Sequence, residues 1–278
     1  MAPAPRSGPP DSAELLEGGE VLFLPDRPFL LTQEEAPLLS PRTSDGRAKN
    51  ISLDPATGAV RGAAAPDQER LAGLLARYAD WARILIGEVA PGYAPALRLG
   101  RTSYRPRAVD EAAAGPRKDD RRLHADAFPS QPTRGWRILR VFSNVDPAGE
   151  PRIWRIGEPF EAYARRWIGE ARRMAPLEAW LLHRLGITKS RRSDYDAAML
   201  ALHDHAKLDA DYQATAPRRE MVFPAGSSWV VFTDAVVHAA IGGRYALEQT
   251  FYVPPSSLAC EAVSPLRILE RLTGRALI

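Results

Sequence analysis

The chain has 278 residues, 45% hydrophobic and 26% charged, enough to bury a substantial core in the manner of an ordinary globular protein. Its formal charge is only +3, and no apolar run approaches the length of a bilayer span, which argues against a membrane-spanning or wholly disordered class. The single cysteine, Cys260, excludes an internal disulfide and a cysteine-built zinc cage, and residues 1–10 lack the apolar stretch of an export signal, so the expected location is the cytoplasm.

Residues 1–18, with Pro3, Pro5, Pro9 and Pro10, read as a disordered tail. Short apolar runs at 21–24 and 28–31, and a strand pair around Pro55-Ala56-Thr57-Gly58, predict a small β-rich entry. Leu71, Leu74, Leu75, Tyr78, Trp81, Leu85 and Val89 then recur at the spacing of one helical face, predicting an amphipathic helix over 67–89 that Pro91-Gly92 ends. Strands are expected at 97–103, 123–127 and 136–145. The helical period returns over 159–185 and 194–211, with Phe160, Tyr163, Trp167 and Ile168 on one face. Strands resume at 221–223, 228–232, 236–240 and 246–253, and residues 256–278 read as a C-terminal tail or helix. This order predicts one domain over 19–255, a double-stranded β-helix of the jelly-roll, cupin-like kind, carrying a helical insertion at about 159–211.

In Leu123-His124-Ala125-Asp126-Ala127, two positions of an extended segment place His124 and Asp126 on the same face, so one imidazole and one carboxylate can reach a common ion. His-x-Asp alone is weak evidence, because chance matches are common. Its weight rises with His238, in a late strand pair after the turn Pro224-Ala225-Gly226-Ser227. Two histidines and one carboxylate leave coordination positions open, the facial arrangement of non-haem iron(II) oxygenases, whose open positions take cosubstrate and O₂. The competing cluster His203-Asp204-His205 lies in a helical stretch, where residues two apart diverge around the axis, and His183 beside Arg184 suits a helix end.

A 2-oxoglutarate cosubstrate needs a cation for its distal carboxylate. Where many such enzymes carry an arginine after the distal histidine, this chain has Glu248 and Gln249, and Arg244 sits in the turn Gly242-Gly243-Arg244. Arg140, on the strand after His-x-Asp, is the better candidate for a bidentate contact, while Gln249 is expected to hydrogen-bond the site from the last strand. The segment from Arg98 to Arg140 holds eleven Lys/Arg against five Asp/Glu, pointing to an anionic ligand or else to an arginine-rich solvated face. No nucleic-acid-binding motif accompanies these charges.

The segments Arg101-Thr-Ser-Tyr-Arg-Pro-Arg107, Arg122-Leu-His-Ala-Asp-Ala-Phe-Pro-Ser130, Arg137-Ile-Leu-Arg-Val-Phe-Ser-Asn-Val145 and Leu247-Glu-Gln-Thr-Phe-Tyr-Val-Pro254 resemble the bacterial Kdo hydroxylases. The resemblance runs from about residue 21 to 255. It implies an iron(II)- and 2-oxoglutarate-dependent enzyme that uses O₂ to hydroxylate C3 of 3-deoxy-D-manno-oct-2-ulosonic acid (Kdo) in Kdo-lipid A, giving Ko. It further implies that His124, Asp126 and His238 hold the iron, and that Arg105, Arg140, Arg152 and Trp154 fall in the pocket. Core packing is an equal reading of Trp154. A glycolipid substrate would bring the enzyme transiently to the inner-membrane surface through basic residues. Two other readings stay open: an oxygenase of the same fold acting on another acidic metabolite or a protein side chain, and a noncatalytic jelly roll that binds an anionic sugar or lipid.

Overall fold

A computed structural model describes residues 11–109 and 115–278. Among these residues, ten strands form two antiparallel sheets: β1 (Leu22–Leu24), β2 (Ile51–Leu53), β3 (Val60–Arg61), β4 (Arg98–Arg105), β5 (Arg137–Asn144), β6 (Arg152–Ile156), β7 (Arg219–Phe223), β8 (Ser228–Phe232), β9 (His238–Gly242) and β10 (Ala246–Val253). The large sheet runs β1-β8-β5-β10-β4-β2-β3 and the small one β7-β6-β9. The fold is a jelly roll with helical additions, as its strand order predicts.

Strand β5 lies at the centre of the large sheet between β8 and β10, and every one of its residues is buried. Its pleat sends Leu139, Val141 and Ser143 to one face and Arg140 and Phe142 to the other. The first face is covered by α1 (Ser12–Glu17) and α2 (Gln68–Val89). Helix α2 (Gln68–Val89) buries Leu71, Leu74, Leu75 and Tyr78 as the periodicity predicts, and the Tyr78 hydroxyl reaches Val141 O and Ser143 Oγ, each at 3.2 Å. The second face meets the small sheet through Phe142, Trp154, Phe223 and Trp229, with Phe223 and Trp229 stacked at 4.0 Å. Strand β6, whose Arg152, Trp154 and Ile156 alternate inward, is the one strand absent from the sequence-based expectation. Its apolar signal is interrupted by arginines.

Between β6 and β7 lie α3 (Phe160–Trp167), α4 (Pro176–Arg184), α5 (Asp194–Leu208) and α6 (Ala210–Thr215), so the insertion continues a few residues past 211. Helix α5 starts with a reciprocal cap: Ser193 Oγ accepts from Asp196 N at 3.2 Å, and the Asp196 carboxylate accepts from Ser193 N at 2.8 Å. The Tyr163 hydroxyl, donating to Leu202 O at 2.9 Å, ties α5 to α3.

Three boundaries differ from expectation. Residues 28–31 form no strand, because Phe29 turns inward against Tyr78 and Trp81 rather than joining a ladder. Residues 123–127 form no continuous strand but a single bridge, described below. The expected tail at 1–18 falls partly outside the described residues, yet Ser12–Glu17 is helix α1 with Leu16 fully buried. The physical reason is Glu17, whose carboxylate accepts from Tyr93 Oη at 2.8 Å, Ala259 N at 2.8 Å and Cys260 N at 2.7 Å. It staples the start of the chain to the segment leading into α7 (Pro265–Thr273), whose Leu266 and Leu269 are buried in the main core. Glu17→Ala leaves three donors without their acceptor and should cost on the order of 3 kcal/mol. Thermal unfolding monitored by circular dichroism should show a midpoint several degrees lower; an unchanged midpoint would remove Glu17 from this role.

Candidate metal centre and substrate cavity

The segment 120–126 runs along the outer edge of β9. His124 N donates to His238 O at 3.0 Å, His238 N returns a bond to His124 O at 2.9 Å, and Asp126 N donates to Thr233 O at 2.7 Å. The second bond ends the pairing, since Asp126 meets the turn after β8 instead of a further residue of β9. The consequence for the side chains is the one a strand would have produced. Donor atoms of His124, Asp126 and His238 all lie within 4.8 Å of one another, and this is the metal-capable cluster found among the described residues.

Backbone carbonyls settle which imidazole nitrogen faces inward. His124 Nδ1 lies 2.7 Å from Arg122 O and His238 Nδ1 lies 2.8 Å from Val236 O. A carbonyl only accepts, so both Nδ1 atoms carry the proton and both Nε2 atoms offer a lone pair, the tautomer a metal requires. Burial pushes His124 down to about 3 and also lowers His238, so both rings are neutral at physiological pH. Burial would raise Asp126, but the Arg140 charge outweighs it and holds the carboxylate ionised. Asp126 Oδ2 is 3.2 Å from Arg140 yet lacks hydrogen-bond geometry to any partner, leaving a buried anionic oxygen for an ion. Two neutral imidazoles and one carboxylate therefore fit a divalent metal with a preference for nitrogen and oxygen donors.

A pH dependence follows. The folded pKa of His124 lies below its ordinary 6.5, so between these values the unfolded chain binds more protons than the native one. Stability in the metal-free protein should be fully present above about pH 6.5 and decline as the pH falls toward 3, with His238 acting in the same direction. A metal-free melting midpoint flat from pH 7 to pH 4 would contradict this.

The cluster opens into a cavity of about 400 Å³ bounded by β4, β5, β6, β9 and α5. Seven lysines and arginines line it against two aspartates among the described residues. Arg140 spans Asp126 and Glu248, at 3.2 and 2.9 Å, and its Nε is buried without a partner. Arg105 pairs with Glu248 at 2.7 Å and Asp120 at 2.8 Å, and Asp120 also takes Lys49 at 2.5 Å. Arg152 differs from both. Its NH1 donates to Gly243 O at 2.8 Å, no carboxylate stands within ion-pair distance among the described residues, and burial together with the Arg105 charge pushes it down to about 9. A guanidinium that stays protonated in such surroundings calls for an incoming anion. Trp154 stacks on His238 with ring centroids 4.9 Å apart, its indole nitrogen buried without an acceptor.

The cavity thus gathers the three ligand candidates with Arg105, Arg140, Arg152 and Trp154. Gln249 does not join them. It stands opposite Val141 on β10, so its side chain points to the α2 face of the sheet, where Thr102, Gly100 O and Thr250 O satisfy its amide. Glu248, one residue earlier, takes the inward position. Arg244 is half-exposed beside Asp146 and Tyr245, outside the cavity lining. Sequence reasoning missed Lys49, Asp120, His203 and Lys207, all of which line the cavity. His203 and Lys207 were findable: four apart on α5, they share a helical face, whereas the pair weighed, His203 with His205, does not.

A family model described as 3-deoxy-D-manno-oct-2-ulosonic acid (Kdo) hydroxylase matches residues 6–276. The chain belongs to the Kdo hydroxylase family. Among solved structures, the Kdo hydroxylase KdoO in complex with alpha-ketoglutarate and Fe(III) is 45% identical, with a TM-score of 0.90 over 96% of this chain and 90% of that one. The cobalt(II) complex of KdoO is 46% identical at a TM-score of 0.91, and its succinate and Fe(III) complex 45% identical at 0.90, with the same coverage. KdoO is described as a non-haem Fe(II) alpha-ketoglutarate-dependent dioxygenase. A search of curated proteins finds no match. Among the described residues of this Kdo hydroxylase, no helix is long and apolar enough to cross a membrane.

Proposed function

We propose that this Kdo hydroxylase adds a hydroxyl group to C3 of a Kdo residue in Kdo-lipid A, with iron held by His124, Asp126 and His238. As a member of its family the chain is an iron(II)- and 2-oxoglutarate-dependent dioxygenase. The observation that carries the site assignment is the buried, neutral, tautomer-locked histidine pair beside an ionised Asp126 at the floor of a cation-lined cavity. Bound there, iron(II) with 2-oxoglutarate and O₂ supplies the oxidising chemistry for C–H hydroxylation.

The protein's own part is orientation and exclusion. Arg140, with its free Nε and its position beside Asp126, receives the distal carboxylate of 2-oxoglutarate. Arg152 and Arg105, on facing walls, take the sugar-acid end of the substrate, and Trp154 walls the sugar against His238. Holding the target C–H bond beside the metal in a partly closed cavity favours the intended reaction over loss of oxidant to water. A cationic rim suits brief contact with an anionic bilayer surface from the cytoplasmic side.

The test is mass spectrometry of Kdo-lipid A after incubation with enzyme, iron(II), ascorbate and 2-oxoglutarate. A gain of one oxygen that requires 2-oxoglutarate is expected. An unmodified acceptor, together with turnover of another acidic compound, would replace the substrate while retaining the reaction class.

A further inference from the structure

Helix α5 belongs to the insertion and not to the sheet scaffold, yet it delivers Lys207 into the same cavity as the histidine pair. The Lys207 side chain is 3% exposed, so its ammonium has exchanged water for whatever the cavity offers. What it offers is meagre. Among the described residues, Nζ makes one long hydrogen bond, 3.3 Å to Arg117 O, and the nearest carboxylate, Asp120, is 4.0 Å away and already engaged by Lys49 and Arg105. Burial accordingly lowers the affinity of this amine for its proton. An ammonium has three donors and a large desolvation cost, so one long contact leaves it poorly compensated.

Its placement is nonetheless enforced. Arg122 NH1 holds Lys207 O at 2.8 Å, Arg117 Nε meets Asp204 at 3.0 Å one turn earlier, and His203 packs edge-on against His124 with centroids 5.4 Å apart. The helix face carrying His203 and Lys207 is thus held against His124, in the lining of the cavity that Arg152 of β6 also lines.

We propose that Lys207 is a substrate-binding residue that takes an oxyanion of the acceptor, separate from the anion received by Arg152. The inference rests on the proposed action on a Kdo glycolipid, whose oxyanions are sugar carboxylate and lipid phosphate. It assigns the helical insertion a part in acceptor recognition: β9 and the segment bridged to its edge carry the metal-ligand candidates and β5 the cosubstrate arginine, while α5 reads the acceptor's charge.

The experiment compares wild type, Lys207→Met and Lys207→Arg on Kdo-lipid A and on the same acceptor with its phosphates removed. Lys207→Met should raise KM for the acceptor about 10- to 100-fold, the range for one lost charge-assisted contact. Its kcat should stay within about threefold, and iron content and 2-oxoglutarate affinity should be unchanged. Lys207→Arg should recover part of the KM. A penalty that disappears on the dephosphorylated acceptor identifies phosphate as the anion, and one that persists identifies the carboxylate. Lys207→Gln repeats the comparison if the Met variant does not fold. An acceptor KM within twofold of wild type, or unfolding of both neutral variants, would make Lys207 structural and overturn the proposal. Failure of the wild type itself to modify Kdo-lipid A would instead defeat the substrate reading, and this inference with it.

Discussion

Replacing His124, Asp126 or His238 by Ala is expected to abolish iron-dependent turnover and to weaken iron binding by more than about 100-fold, because each is one of the three metal-capable donors that lie within reach of one another among the described residues. The protein should still fold. His124→Ala and His238→Ala each remove a buried neutral ring whose retention depends on its own Nδ1–H bond to a carbonyl, and the backbone bridge between the two positions survives the change. Asp126→Ala differs, since it also strips Arg140 of one of its two carboxylate partners, and Glu248 alone then balances that charge. The measurements are iron content after anaerobic reconstitution, circular dichroism and turnover. The matched control is His205→Ala, exposed on another face of α5. His203 would be a poor control because it packs against His124. Full activity in any of the three variants would remove that residue from the centre.

The second large effect belongs to Arg140. Arg140→Ala should weaken 2-oxoglutarate binding about 100- to 1000-fold, as expected when a desolvated carboxylate loses its charged partner. The same substitution leaves Asp126 and Glu248 without their shared cation, so part of the loss can arise through Asp126, the candidate ligand. The order of measurement separates the two. Iron content is determined first, and 2-oxoglutarate is then titrated into the loaded protein while the metal-to-ligand absorption band is followed. Arg140→Lys should recover part of the affinity, since charge survives but the planar fork does not. Arg244→Ala should change little, because that side chain is half-exposed and lies outside the cavity. Undiminished affinity in Arg140→Ala, or a larger loss in Arg244→Ala, would transfer the role elsewhere.

Helix α2 and the strands β5, β8 and β10 were legible in the sequence because each is a local pattern: a 3.6-residue stripe in one case, unbroken or alternating apolar runs in the others. Strand β6 was not, since Arg152 and Arg155 mask an alternation that makes sense only once Arg152 is seen to face a cavity instead of solvent. The ordering of α1 was invisible for a similar reason. Its stability comes from Glu17 meeting backbone donors at Ala259 and Cys260, more than two hundred residues away.

For the site, the sequence by itself picked out the candidate donor set that the structure gathers into one cluster. His-x-Asp in an extended segment and a distant histidine in a late strand already specify two imidazoles and one carboxylate, because the side chain period of extended backbone is local geometry. It also determined the family, through motifs longer than any single ligand pair. Only the tertiary structure decided which inward-facing polar residue of β10 meets Arg140, and it chose Glu248 over Gln249, because the pairing register of β10 against β5 sets which residues share a face. Only the tertiary structure brought Lys49, Asp120 and Lys207 to one cavity. Charge in a sequence has no address: a lysine on a helix is a solvated side chain unless neighbouring elements close over it, and here the insertion folds back so that α5 buries Lys207 in the cavity that Arg152 also lines.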